Sequence, residues 1–330
     1  CHYLFISIVY FKGYLLIDGS YFVFYRFYAM MQWWKCKTKG EKLEKPIENE
    51  EFVNKFKTTF IDKIRYLCQP EFDYDWGKME TIKIIVAKDC PRKTIWRMKL
   101  FDSYKGTRTT EDDFIGGPFF KMAYEELFKQ AGVDHVVKYD TLEADDCVAI
   151  LTKELLKDPD NRVKIITSDT DYLQLYNDCN CKLIDKKNGV HNLKIYNLKN
   201  KNNLVNVDKF INRYCEIYDS KASWRMKTYY ALLYKIIHGD KSDNIPQIIK
   251  PLSQNKFNKL YNLHIKETMI ENYLKDKDSR FKNENAWEDF KLNTKLINFN
   301  CIPKDLRAGF LEKYQHLCVS NNSGSYIHSN

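Results

Sequence analysis

The chain has 330 residues, with 53 Lys and Arg against 44 Asp and Glu, and a formal net charge of +9. Hydrophobic residues make up 44% and aromatics 15%, which supports a substantial core and excludes a mainly disordered chain. At about 150 residues per domain the length allows one large domain or two smaller ones, and the modest basic excess favours an anionic partner.

The ten cysteines are scattered and form no C-x-x-C pair, which argues against a zinc ribbon and for buried thiols in a reducing compartment. The first apolar stretch, residues 3–17, is interrupted by Lys12 and Gly13. It falls short of the roughly 20 apolar residues of a membrane span, and no basic leader or cleavage site flanks it. It reads as buried strand. The expectation is a soluble intracellular protein that is cytoplasmic, or nuclear or in a viral factory if it comes from a eukaryotic virus.

In chain order, three β-rich apolar runs end at aspartate: residues 13–17 at Asp18, 82–88 at Asp89, and 163–168 at Asp169. Helical patterns lie between them at about 49–68, 118–131 and 142–157. The alternation predicts an α/β fold with a mostly parallel central sheet flanked by helices. In such sheets reactive groups gather beyond the carboxyl ends of the strands. Residues 182–204 carry six Lys and one Asp and read as a β-hairpin turning at Asn188–Gly189, then a polar loop. Helices follow at 207–218 and 221–238, and a Ser/Asn-rich tail at 320–330 is expected to be disordered. The expected organisation is an α/β core at 1–205 with a loop near 92–130, then a helical region at 206–319.

Glu143-Ala144-Asp145-Asp146 opens the 142–157 helix, whose apolar face includes Val148, Ile150, Leu151 and Leu155. Acids in a first turn complement the helix dipole, which accounts for one or two of the three. Close carboxylates otherwise call for a cation. Ser168-Asp169-Thr170-Asp171 is a second acidic motif, and Gly239-Asp240-Lys241-Ser242-Asp243-Asn244 is a third. Alone, each also reads as ordinary turn chemistry. Together they give nine acids: Asp18, Asp89, Glu143, Asp145, Asp146, Asp169, Asp171, Asp240 and Asp243. Gathered at one sheet edge, their oxygens suit Mg²⁺, with Mn²⁺ as a substitute. After Asp89 comes a basic and aromatic run with Arg92, Lys93, Trp96, Arg97, Lys99, Tyr104, Lys105 and Arg108. Such side chains can neutralise phosphates and stack on bases, or simply form a solvated basic loop.

The pieces LLIDGSY, IIVAKD followed by WRMKLFDSYKGTR, EADD, SDTDYLQL and GDKSDNIP occur in the order of the 5′-nuclease superfamily of flap endonucleases and 5′–3′ exonucleases. The chain resembles that superfamily over residues 13–250, and residues 293–306 resemble the T-even phage ribonuclease H branch. The resemblance implies hydrolysis of phosphodiester bonds with two divalent cations. The expected substrates are 5′ flaps, nicked or gapped duplex DNA and RNA–DNA primers, in replication or repair. It implies that Asp18, Asp89, Glu143 and Asp145 surround one cation, and that Asp146, Asp169, Asp171, Asp240 and Asp243 serve the other. Lys105 would contact the scissile phosphate, Arg97 and Arg108 nearby phosphates, and Tyr104 the terminal base. Lys241, Ser242, Lys250 and Lys256 would grip duplex in a helix–turn–helix-like region. The residues after DNIP lack the family's glycine pair, so that turn is expected to differ. A monomer is expected, with DNA or RNA–DNA duplex bearing a 5′ single-stranded end as partner and a sliding clamp or single-strand-binding protein as a further partner class. A haloacid-dehalogenase-type phosphatase leaves Asp89, EADD and GDKSDN unexplained. A non-catalytic binding protein leaves nine retained acids unexplained. An RNA-directed PIN-type ribonuclease leaves the GDKSDN segment unexplained.

Overall fold

A computed structural model describes residues 11–107, 114–179, 183–185, 190–199, 224–265, 268–275 and 285–318. Five parallel strands form the central sheet in the order β3-β2-β1-β4-β7. These are β1 (Phe11–Asp18), β2 (Met79–Ala87), β3 (His135–Val137), β4 (Asn161–Ile166) and β7 (Leu193–Tyr196). Strand β5 (Leu183–Asp185) pairs antiparallel with β6 (Val190–His191). That pairing agrees with the hairpin expected there, while its turn residues lie outside the described residues.

The central strand shows why the run at 13–17 is continuously apolar. Successive side chains point to opposite faces, and both faces of β1 are covered. Tyr14 and Leu16 enter one core, with Val148, Leu151 and Leu155 of α5 (Ala144–Leu155). Leu15 and Ile17 enter the other, with α1 (Gly19–Lys37) and α2 (Glu50–Leu67). A parallel sheet buried on both faces carries such unbroken runs. In β4, Val163 and Ile165 follow the same rule. Lys164 lies on the opposite face, with its ammonium 3.7 Å from the Trp76 ring centroid and 2.7 Å from Asp73.

The helix expected at about 118–131 is α3 (Gly117–Met122), a π-helical turn (Ala123–Leu127) and α4 (Phe128–Gln130). Short helix α6 (Leu175–Asp178) follows β4. Helices α7 (Trp224–His238), α8 (Gln254–Ile265), α9 (Thr268–Lys275) and α10 (Ala286–Ile297) form the helical region. Their own core includes Tyr230, Ile237, Phe257, Phe290 and Leu296, joined by Ile95 and Tyr104 from the loop after β2. The last helix, α11 (Lys304–Cys318), returns to the sheet, where Phe310 and Leu317 join the core around α5. The boundary expected near 205 and the helix expected at 207–218 lie outside the described residues, as does the tail. Among the described residues no helix is long and apolar enough to cross a membrane.

Candidate active site

The register of the sheet gathers the acids. Asp18 pairs in β1 with Ala87 of β2, and Ile17 with Ile166 of β4. The carboxyl ends of three adjacent strands therefore coincide, and Asp18, Asp89 and Asp169 leave the sheet side by side. Asp18 also starts α1, accepting a hydrogen bond from the Tyr21 amide at 3.0 Å and one from the Thr167 hydroxyl at 3.4 Å. Gly19 is required here, because a Cβ would lie 2.7 Å from the Ala87 carbonyl oxygen. Asp89 accepts from the Ser20 hydroxyl at 2.6 Å and from the Ala144 amide at 2.8 Å, which ties β2 to the start of α5.

At that helix start the three acids separate into different roles. Asp146 is fully buried. Its carboxylate meets the Arg97 guanidinium bidentately, with Oδ1 at 2.8 Å from Nη2 and Oδ2 at 2.8 Å from Nη1. Oδ2 also accepts from the Trp96 indole at 2.9 Å and from the Glu143 amide at 3.2 Å. Glu143 accepts from Arg97 at 2.9 Å, from the Tyr104 hydroxyl at 3.1 Å, and from the Lys105 ammonium. Burial pushes the Glu143 carboxyl up, but Lys105 and then Arg97 hold it below its ordinary value. Asp145 is raised well above its ordinary value by burial and by the charges of Glu143 and Asp146, despite Arg97 and Lys105.

The second cluster lies across the edge. Asp169 caps a 3₁₀ turn (Thr170–Gln174) by accepting from the Asp171 amide at 2.8 Å. Asp171 pairs with the Lys235 ammonium, which also lies 3.6 Å from Asp240. Asp240 accepts from the Ser242 amide at 2.8 Å and from the Ser242 hydroxyl at 2.6 Å. The Gly239 φ of 73° sets the chain into this turn, a conformation glycine adopts without strain. Asp243 closes the circuit to the first cluster. It accepts from the Tyr104 hydroxyl at 3.2 Å, and its backbone carbonyl accepts from the Lys105 amide at 2.8 Å. Burial pushes Asp18 up to about 7, helped by the charge of Asp89. It pushes Asp171 up to about 7 despite Lys235. Burial would also raise Asp240, but its Ser242 hydrogen bonds and Lys235 hold it below its ordinary value.

All nine expected acids therefore belong to one connected edge. Three protein cations, Arg97, Lys105 and Lys235, pair directly with them among the described contacts. One oxygen each from Glu143, Asp145 and Asp146 lies within 4.8 Å of the others. Crowded hard-oxygen donors, with the Asp18, Asp145 and Asp171 carboxyls raised by burial and neighbouring charge, fit divalent cations. Asp145, Asp18 and Asp89 have the carboxylates least committed to protein cations.

The basic residues divide differently from the expectation of a phosphate-binding run. Arg97 is 1% exposed and donates to Glu143, Asp146 and the Leu296 carbonyl, so it is an internal cation that joins three elements. The Tyr104 ring is 2% exposed, and stacking on a base would require it to leave this packing. Arg92, Lys93, Lys99, Lys241, Ser242 and Lys250 are exposed, and Lys105 and Lys256 are half-buried. Arg108 lies outside the described residues. The Asp240–Asn244 turn lies between α7 and α8, with Asn244 at φ 61°. Lys235 and Thr167 are site residues that the motifs do not mark, while Ser20 and Trp96 lie within them and donate to Asp89 and Asp146. Lys235 lies on an amphipathic helix, where its partners become visible only once that helix packs against the strand ends.

The sequence matches a family model described as 5′–3′ exonuclease, N-terminal resolvase-like domain, over residues 13–214, and the chain belongs to this family. Comparison with curated proteins gives no match. Among solved structures, the chain is similar to the 5′-exonuclease of phage T5 with divalent zinc bound. Identity is 16%, TM-score is 0.58, and 93% of this chain and 100% of that chain are covered. It is also similar to the bacteriophage T5 flap endonuclease in a pseudo-enzyme–product complex with DNA and metal ions. There identity is 15%, TM-score is 0.56, and coverage is 93% and 99%. These likenesses establish the shared fold.

Proposed function

We propose that the chain is a divalent-cation-dependent, structure-specific 5′ nuclease that hydrolyses phosphodiester bonds. The observation that carries this reading is the meeting of nine carboxylates from five separate segments at the carboxyl edge of one parallel sheet. Asp18, Asp89, Glu143 and Asp145 would hold one cation, and Asp169, Asp171, Asp240 and Asp243 a second. Such cations, Mg²⁺ with Mn²⁺ as substitute, supply charge neutralisation at a phosphate and acidify water. Asp146 would act through Arg97, fixing the loop after β2 against α5. Lys105 sits at the rim of the first cluster and would position the scissile phosphate once the substrate competes with Glu143 for its ammonium. Exposed Arg92, Lys93 and Lys99 would meet the strand near the edge, with Lys241, Ser242, Lys250 and Lys256 on the duplex.

The substrates proposed are 5′ flaps, nicked or gapped DNA, and RNA primers on DNA, acted on by a monomer in replication or repair. A sliding clamp or single-strand-binding protein remains the proposed partner class. The test is cleavage of 5′-labelled flap, nicked and RNA–DNA substrates in Mg²⁺ and in EDTA, beside Asp145→Asn. Cutting that needs the cation and is lost in the variant supports the reading and ranks the substrates. Equal cutting by the variant, or none by well-folded wild type, overturns it.

A further inference from the structure

Helices α1 and α2 run antiparallel, and one seam between them can be read rung by rung. The Thr59 hydroxyl donates to the Met30 sulfur at 3.2 Å. Toward the carboxyl end of α1 the seam carries an opposite-charge pair, Lys37 with Glu51. One turn from Met30 in the other direction lies Arg26, and one turn beyond Thr59 on the facing helix lies Lys63. Residues four apart stack on one helix face, so the next rung sets two cations against each other.

Among the described residues no acid pairs with this rung. Burial, and then the Arg26 charge, holds the Lys63 ammonium below its ordinary value, and no carboxylate offsets them. The Arg26 guanidinium is likewise lowered by burial, with only Tyr25 acting against it. Arg26 Nε is buried without a hydrogen-bond partner. The rest of the rung is aromatic: Arg26 lies 5.6 Å from the Tyr25 ring centroid and Lys63 4.7 Å from that of Tyr66. Two half-buried cations with an unused donor repel each other unless an anion joins them.

We propose that the Arg26–Lys63 rung binds a backbone phosphate of the nucleic acid held at the acidic edge. Helix α1 carries the argument, because its cap, Asp18, belongs to that edge and Arg26 stands eight residues further on. At a rise of about 1.5 Å per residue, the rung is ~12 Å along α1 from the strand ends, within reach of the same bound strand. An Arg fork beside a Lys point charge suits a phosphate's oxygens. The inference rests on the nuclease reading for the identity of its anion.

The test measures binding of a 5′-flap duplex in EDTA across a salt series, with cleavage in Mg²⁺ run in parallel. The proteins are wild type, Arg26→Met/Lys63→Met, and the charge-keeping Arg26→Lys/Lys63→Arg. The Met pair should bind about tenfold more weakly near 0.1 M salt. Its plot of log affinity against log salt should flatten by about 0.9 for each phosphate that is no longer neutralised. Saturated turnover should be unchanged, and thermal stability unchanged or higher, because a like-charge repulsion has gone. The charge-keeping pair should bind as wild type. An unchanged salt slope in the Met pair overturns the proposal while wild-type cleavage leaves the nuclease reading intact, and a purely structural rung would instead lower stability. If wild type neither binds nor cuts, both fall together.

Discussion

The Arg97 guanidinium and the Asp146 carboxylate face each other edge to edge inside the protein, joined by two hydrogen bonds of 2.8 Å. One belongs to the loop after β2 and the other to the first turn of α5. Their pairing, with Glu143 added at 2.9 Å, fixes the floor of the acidic edge.

Removing that cation leaves the buried Asp146 carboxylate uncompensated, while Glu143 keeps the Lys105 ammonium. Arg97→Met should therefore destabilise the fold by about 3–5 kcal/mol, the range for a broken buried ion pair. Arg97→Met/Asp146→Leu should lose less, because the stranded charge goes too. Denaturant unfolding of both variants measures this, and a loss under about 1 kcal/mol for Arg97→Met would contradict the buried pairing.

Lys235 stands among Asp169, Asp171 and Asp240, where it balances charge that a divalent cation can also balance. Lys235→Met should melt lower than wild type without divalent cation. The rise in melting temperature on adding Mg²⁺ should be larger than in wild type. Thermal shift with and without Mg²⁺ reads both, and an equal rise in the two proteins would separate Lys235 from the cation sites.

Asp18 and Asp171 titrate near 7 in the folded protein instead of near 4. Between those values the folded state binds more protons than the unfolded state, so stability falls as pH rises from about 4.5 to 7.5. Glu143 and Asp240 are lowered, and act in the opposite sense at more acid pH: their contribution is lost as pH falls below about 4. Metal-free protein should therefore be most stable near pH 5. Stabilisation by Mg²⁺ should grow toward pH 7.5, because the cation needs the deprotonated carboxylates. Unfolding midpoints from pH 4 to 8 with EDTA or Mg²⁺ test this; a metal effect that does not grow with pH would exclude these carboxylates as ligands.

Tyr104→Phe removes a buried hydroxyl shared by Glu143 and Asp243. The expected cost is about 1–2 kcal/mol, since a charged acceptor loses its donor. Chemical denaturation measures it, and an unchanged stability would mean that the hydroxyl does not bridge the clusters.

Much of this site was readable because the chemistry sits at strand ends. Each apolar run stops at an aspartate, and the parallel sheet then brings Asp18, Asp89 and Asp169 to one edge. Helix α1 was not readable, because its apolar residues are spread around the helix and leave no 3.6-residue stripe. Strand β3 has three residues and β7 four, too short for an alternation to register. β7 also lies within a lysine-rich stretch that reads as hairpin and loop. Arg97 and Tyr104 looked like surface phosphate and base contacts because a basic run does not reveal which side chains turn inward. Their burial follows from α5 and α10 closing on the loop. Lys235 needed the packing of α7 against the strand ends, which no local pattern contains.

The central claim is that this edge holds divalent cations between opposed carboxylates. Anomalous diffraction from crystals soaked in Mn²⁺ tests it most directly. The account predicts two peaks, one against Asp18, Asp89 and Asp145 and one against Asp169, Asp171 and Asp240, with the Lys235 ammonium withdrawn from Asp171. An edge without manganese, while Mn²⁺ occupies other carboxylates of the same crystal, would contradict it.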